Sequence, residues 1–284
     1  MPAEPPIALP QHLFDAYEIL AAGPATPIAG GTDLMPQITG ELREPPERMI
    51  DLSRIEALKG IALEPGGLVL GARTTYTEIR RSTLCREHLP ALVEAAATIG
   101  AAQIQNRGTL GGNIANASPA GDTLPILLAT EAVILVGSQR GEREIPAGAF
   151  FTGYRTTDLA PDELILHVRI PLPKGRHVRF RKVGTRRAQA ISKVVLALAW
   201  RDIGDEGWGD VRVALGSVAP TPIRVFATEA VLEGNLPTPE VADRAAETLA
   251  AELAPIDDVR STAGYRRTVA ARILHRLLRD AGGW

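Results

Sequence analysis

Apolar positions recur along the chain at two spacings, and the switches between them mark short elements. QHLFDAYEILAAG (11–23) repeats at helical spacing and stops at Gly23, which predicts a helix ended by glycine. ATPIAGG (25–31) predicts a short strand, Thr32 and Asp33 a cap, LMPQI a helix start and ERMIDLS (47–53) the next strand. Residues 1–58 therefore predict a small strand–helix–strand unit. GGLVLGA (66–72) predicts a buried strand, followed by helical stretches at TYTEIRRS and EHLPALVEAAATIG. A helix at TLPILLAT (123–130) and strands at AVILVG (132–137), REIP and ELILHVRIPLP (163–173) make 59–174 an α+β unit by pattern. Pro171, Pro173 and Gly175 mark a boundary. Beyond it, HVRFRKVG, AISKVVLALAWRDIG and DVRVALGSVAP predict strands, with Val211, Val213 and Leu215 facing one way. Thr238-Pro239-Glu240 opens a helix, and YRRTVAARILHRLLRDAGG (265–283) is an amphipathic one. Residues 175–284 thus predict an antiparallel sheet with helices.

Between these elements lies NRGTLGGNIANASPAGDTLP (106–125), read as a loop of small and amide side chains around Gly111 and Gly112. PIAGGTDL (27–34) holds a second glycine pair after a strand and before a helix. Such pairs serve as ordinary tight turns. They also permit positive φ and let backbone N–H groups approach an anion, with a helix N-terminus adding its dipole. Two loops of this kind can hold a diphosphate, and Thr32, Thr109 and Asn113 add uncharged donors. Neither contains the Gly-Lys-Ser/Thr of a phosphate-binding P-loop, and neither fits GxGxxG.

Composition narrows the classes. The 284 residues suit two or three small cores, and 31 basic against 33 acidic residues lack the basic footprint of a nucleic-acid binder. Cys85 is the only cysteine, so the chain itself offers no disulfide, iron–sulfur cluster or thiolate zinc site. The histidines (His12, His88, His167, His177, His275) are scattered. MPAEPPIALP is neither basic nor apolar enough for a signal peptide, and no apolar run reaches about 18 residues, so the expectation is a soluble cytoplasmic protein. No nucleophile–base pair stands out. Asp122 serves either as a helix cap or as a ligand contact. Lys182, in a run with Arg176, Arg179 and Arg181, reads as a solvated face, a ligand contact or a partner contact. The last helix carries a basic face (Arg266, Arg267, Arg272, Arg276, Arg279) with the same ambiguity, above a core stripe of Val269, Ile273 and Leu277. Tyr265 reads as a packing residue, and Trp200, Trp208 and Trp284 as structural.

AGGTDLMPQ, then IGAAQIQNRGTLGGNIANASPAGDTLP, FRKVGTRRAQAISKV, VRVALGSVAPTPIR and DVRSTAGYRR resemble, in order and over almost the whole chain, the FAD-binding medium subunit of the xanthine dehydrogenase and carbon monoxide dehydrogenase family of molybdenum hydroxylases. The resemblance implies two α/β subdomains clasping FAD, followed by the family's C-terminal domain. It places the first FAD loop on Ile28, Ala29, Gly30, Gly31, Thr32, Asp33 and Leu34, and the second on Thr109, Leu110, Gly111, Gly112 and Asn113. It adds an acidic contact at Asp122, a backbone-type contact at Ile165, a basic contact at Lys182 and a further position at Ile99. Some members of the carbon monoxide dehydrogenase type carry His-Ser where this chain has Thr32-Asp33, which is nearer the xanthine dehydrogenase pattern.

The implied chemistry belongs to the cofactor. A molybdenum cofactor on a large partner hydroxylates a small molecule, two [2Fe–2S] clusters on a small partner carry electrons, and the FAD of this chain passes them to NAD+, oxygen or another acceptor. The family usually forms a dimer of heterotrimers. No His or Cys lies in either glycine loop, so noncovalent FAD is expected. The alternatives are a stand-alone FAD-binding protein and a flavin oxidase without molybdenum partners.

Overall fold

The computed structural model describes residues 5–42 and 44–284; the first four residues of MPAEPPIALP lie outside them. The first unit contains β1 (Ile7–Ala8), α1 (Leu13–Ala21), β2 (Thr26–Ile28), α2 (Leu34–Thr39) and β3 (Met49–Asp51). Its three strands pair in parallel, in the order β1-β3-β2. β1 was not anticipated, since two residues are too few to show a period. Arg48 closes the end of α1 by donating to the carbonyls of Ile19 (2.7 Å) and Gly23 (2.9 Å).

The second unit is built on an antiparallel sheet. Its strands are β4 (Ile61–Glu64), β5 (Gly67–Gly71), β6 (Val133–Ser138), β7 (Gly141–Pro146) and β10 (Leu164–Ile170). Between β5 and β6 lie α3 (Tyr76–Arg81), α4 (Thr83–His88), α5 (Pro90–Thr98), α6 (Ala102–Arg107), α7 (Leu110–Asn116) and α8 (Leu124–Ala129). A short α9 (Ala147–Phe150) and the hairpin β8 (Phe151–Gly153) and β9 (Thr156–Thr157) precede β10. The sheet order is β4-β5-β10-β6-β7. Pro90 splits the expected 87–100 helix in two, because proline sits at the first position of α5 and cannot continue α4. The largest departure is at 106–116: the expected loop is mostly helix, with Gly111 and Gly112 inside the first turn of α7.

β10 explains why this sheet is covered on both sides. Leu164 and Leu166 pack against α1, β3 and the following turn, with Ile50, Ile55 and Leu58. Ile165, Val168 and Ile170 pack against the helices on the other face. The change of parity between 165 and 168 comes from a β-bulge between Ile165 and His167, which inserts one residue and resets the alternation.

The third unit pairs β11 (Arg176–Val183), β12 (Val194–Asp202), β13 (Trp208–Gly216) and β14 (Ile223–Arg224) antiparallel. Val194, Leu196, Leu198 and Trp200 face α10 (Phe226–Leu232), α11 (Pro239–Glu252) and α12 (Ala263–Gly282). Val195, Ala197 and Ala199 face the second unit, where α8 is buried along its whole length. Val211, Val213 and Leu215 share the first of these faces, as their alternation indicates. The expected caps of α11 are present: Thr238 accepts from the Val241 N–H and Pro239 occupies the first turn. No helix among the described residues is long and apolar enough to cross a membrane.

Candidate flavin-binding site

The site begins at the bulge in β10. The Leu166 carbonyl freed there accepts the Ala72 N–H (2.8 Å), and the Ala72 carbonyl accepts the Gly111 N–H (2.8 Å). Thr74 takes the Leu110 N–H (2.9 Å), and Thr75 pairs with Thr109. The second glycine motif is thus sewn to the end of β5 by backbone alone. Gly111 permits this contact, since a Cβ there would stand 2.7 Å from both Cβ and O of Ala72. Gly112 is different: it is exposed, and only Thr109 Oγ1 lies near its missing Cβ. That hydroxyl caps α7 by accepting the Gly112 N–H (3.1 Å).

The first motif lies alongside. A side chain on Gly30 would drive into the carbonyl of Arg107, and Arg107 Nε returns a hydrogen bond to the Gly30 carbonyl (3.2 Å). Gly31 has φ +72°, a conformation side chains resist. Positive φ is confined to this one of the four motif glycines. Thr32 and Asp33 do not cap α2 with their side chains. Asp33 instead accepts from Asn116 Nδ2 (3.1 Å), and Arg155 donates to Asn116 Oδ1 (2.8 Å), linking loop, helix and hairpin. The N–H groups of Gly30, Gly31, Thr32 and Asp33 have no acceptor among the described residues.

Two cavities flank these motifs. The larger, about 590 Å³, is lined by Thr32, Asp33, Asn113, Asp122, Lys182 and Ile99 among others. The smaller, about 90 Å³, is lined by Ala29, Thr109, Gly111, Gly112 and Ile165. Each motif therefore runs from one cavity to the other: Ala29 to Thr32, and Gly112 to Asn113. Ile28, Gly30, Gly31, Leu34 and Leu110 line neither cavity. They shape the loops, Leu110 from the core.

Asp122 and Lys182, sixty residues apart, meet in a buried pair (Nζ to Oδ2, 2.5 Å). Lys182 also donates to the Thr98 carbonyl (3.1 Å), and the Ser192 hydroxyl donates to the other oxygen of Asp122. Burial pushes the Asp122 carboxyl above its usual range, and the Lys182 charge with the two donated bonds pulls it back. Of the readings open for Lys182, the solvated face is overturned: alternation along β11 turns it inward while Arg179 and Arg181 stay outside. Asp122 spends its oxygens on Lys182 and Ser192 and caps no helix; Thr123 stands at the start of α8. Arg266 corrects the basic face of α12. It is buried, and donates to the carbonyls of Lys193 (2.9 Å) and Ser217 (2.7 Å) and to Asp258 (2.7 Å), walling the larger cavity. Tyr265 is exposed rather than packed, with Lys193 over its ring at 5.0 Å. Tyr76, Asn116, Ser192 and Arg266 line the larger cavity without having been singled out for it. A buried Tyr and Ser carry no sequence signal that separates them from core, and Arg266 stood among surface arginines.

Residues 4–173 match the FAD binding domain in molybdopterin dehydrogenase, and residues 179–281 the CO dehydrogenase flavoprotein C-terminal domain. The chain belongs to this family of FAD-binding dehydrogenase subunits. It is 32% identical over 275 residues to the carbon monoxide dehydrogenase medium chain of Hydrogenophaga pseudoflava, spanning 96% of this chain and 95% of that one. It is 35% identical over 279 residues to the nicotine 6-hydroxylase medium subunit of Paenarthrobacter nicotinovorans, spanning 97% and 96%. Against the xanthine dehydrogenase FAD-binding subunit of Escherichia coli O157:H7 it is 30% identical over 279 residues, spanning 95% of each. The solved carbon monoxide dehydrogenase of H. pseudoflava lacking the Mo-pyranopterin moiety superposes with a TM-score of 0.94 at 31% identity, covering 100% of this chain and 99% of that one. The family is one of oxidoreductase subunits, and the α+β architecture expected from the sequence is the one these structures share.

Proposed function

We propose that this chain is the flavin relay of a molybdenum hydroxylase, receiving electrons from [2Fe–2S] clusters of a small partner and giving them up to NAD+ or another acceptor. The observation that carries the reading is the run of free N–H groups at Gly30–Asp33, facing a second glycine motif between two cavities. Free N–H groups in a glycine loop suit a diphosphate, and the larger cavity beside them, about 590 Å³, has room for a large part of a dinucleotide. The residues present therefore fit FAD.

Bound there, FAD supplies the ability to take electrons singly and release them as a pair. The chain's own residues hold and orient it. The two glycine motifs grip the middle. Ala29 and Ile165 border the smaller cavity, and Thr32, Asn113, Asp122 and Lys182 the larger, with Ile99 on the same wall. The Lys182–Asp122 pair ties the third unit to the second on the wall of the larger cavity and holds both side chains in fixed positions there. Binding is noncovalent in this reading, with units at 1–58, 59–174 and 175–284 and the cofactor held between the first two. The molybdenum cofactor sits on a large partner, and two such heterotrimers pair, in the cytoplasm. The relatives' names cover carbon monoxide, xanthine and nicotine, which accords with substrate contacts lying on the large subunit.

The test is to purify the full chain, add FAD and remove the excess by gel filtration. A retained flavin absorption band, identified as FAD after heat release, is the expected result. Absence of flavin both from the isolated chain and from chain co-expressed with its molybdenum and iron–sulfur partners would overturn the reading.

A further inference from the structure

We infer that Arg73 supplies the positive charge that receives the dinucleotide's diphosphate, a contact that neither glycine motif can make; this rests on the flavin reading above. Arg73 stands two residues past β5, next to Ala72, which is tied to the bulge and to Gly111. Its backbone N–H is held by the Leu58 carbonyl (2.8 Å), and one guanidinium nitrogen by the Ile55 carbonyl (2.9 Å). Thus anchored, Arg73 lines the smaller cavity beside Ala29, Thr109 and Gly112. An arginine presents five donors in a rigid fork suited to phosphate, and here NH1 is the nitrogen that meets a protein acceptor among the described residues.

No carboxylate among the described residues forms an ion pair with it. The nearest acids are already engaged. Asp51 accepts the Ser53 N–H (2.7 Å), Glu56 pairs with Lys59 (2.9 Å), and Glu78 accepts from the N–H (2.7 Å) and hydroxyl (2.8 Å) of Thr75. Across the cavity Glu163 is bound through both oxygens by Arg143 (2.8 and 2.9 Å) and also takes the Ala160 N–H (2.8 Å). Arg73 is therefore the one cation lining this cavity among the described residues; Glu56, Asp51 and Glu78 attract it from nearby without forming an ion pair with it. Burial also pushes its guanidinium below the usual range, a desolvation that a bound anion offsets. The free N–H groups of Gly30–Asp33 bind the same diphosphate as neutral dipoles; they carry no net charge to balance it.

The experiment titrates the full chain with FAD, with ADP, which has the diphosphate but no flavin ring, and with riboflavin, which has the ring but no phosphate. Arg73→Gln keeps a donor for the Ile55 carbonyl and removes the charge; Arg73→Lys keeps the charge and loses the fork. Arg73→Gln is expected to weaken FAD and ADP at least about tenfold, the effect of losing one charge-assisted hydrogen bond, and to flatten the salt dependence of both. Riboflavin binding and the melting temperature should hold, and Arg73→Lys should recover part of the loss. Unchanged ADP and FAD affinity in Arg73→Gln would overturn the assignment, as would equal losses for ADP and riboflavin, which mean a damaged site. Failure of the wild-type chain to bind either FAD or ADP, both alone and co-expressed with its partners, would instead bring down the flavin reading itself.

Discussion

Gly111 and Gly112 are neighbours with opposite obligations. Gly111 is a packing glycine, pressed against the Ala72 backbone, while Gly112 turns its empty side to the groove. Their substitutions should therefore separate. Gly111→Val forces a side chain into backbone that cannot yield, so flavin loss should come with a lowered melting temperature of several degrees. Gly112→Val meets only the Thr109 hydroxyl, so FAD affinity should fall at least about tenfold with little change in melting temperature, as a side chain in the groove blocks backbone approach. Flavin titration alongside thermal melts checks both. Were Gly112→Val to bind FAD normally, the groove would not be where the cofactor lies. The sequence shows the pair as a pair, and only the position of Ala72, some forty residues earlier, tells the two glycines apart.

At the scale of elements, α12 does more than cover the third sheet. Through Arg266 its first turn reaches back to the carbonyls of Lys193 and Ser217, just before β12 and just after β13, and grips Asp258. Asp258 in turn accepts the N–H groups of Arg260 (2.9 Å) and Ser261 (3.0 Å), so the segment between α11 and α12 is held against the cavity wall. The bonds hold Asp258 below the usual carboxylate range, although partial desolvation acts the other way. Arg266→Lys keeps the charge but cannot span three acceptors, so a loss of about 2 kcal/mol is expected, the scale of a hydrogen bond made by a charged group. The same variant should open the segment to tryptic cleavage at Arg260, where it is exposed; a melting temperature and cleavage rate equal to wild type would show the grip to be incidental. The spacing of Arg266 among other arginines reads as a solvated face, because helical periodicity reports which side a residue is on and not how far a neighbouring strand reaches towards it.

For the molecule as a whole, β12 decides how the units are joined. Its run VVLALAW is buried on both faces, one against α10–α12 and the other against α8 and its surroundings. Residues 1–174 expressed alone would leave α8 and the second unit's side of that contact in water, and large uncovered apolar patches drive association. Such a fragment is expected to aggregate or to elute as large species on gel filtration, while the whole chain does not. A monodisperse, cooperatively melting fragment would show that the third unit is an appendage. A continuous apolar strand is visible in the sequence, but the sequence does not say what covers each face.

What the chain determined by itself was local. Alternation identified β11 to β13, helical spacing with Pro and Gly identified α1, α11 and α12, and the two glycine motifs identified the family. These are readable because period, cap and backbone freedom are properties of a few consecutive residues. The tertiary structure decided the rest. It turned the expected loop at 106–116 into a helix, because sewing Leu110 and Gly111 to Thr74 and Ala72 satisfies the backbone of a stretch whose small side chains show no period. It reset the faces of β10 by a bulge, and brought Asp122 to Lys182 and Ala72 to Gly111. Each of those contacts joins positions dozens of residues apart, and no local pattern encodes the distance between them once the chain has folded.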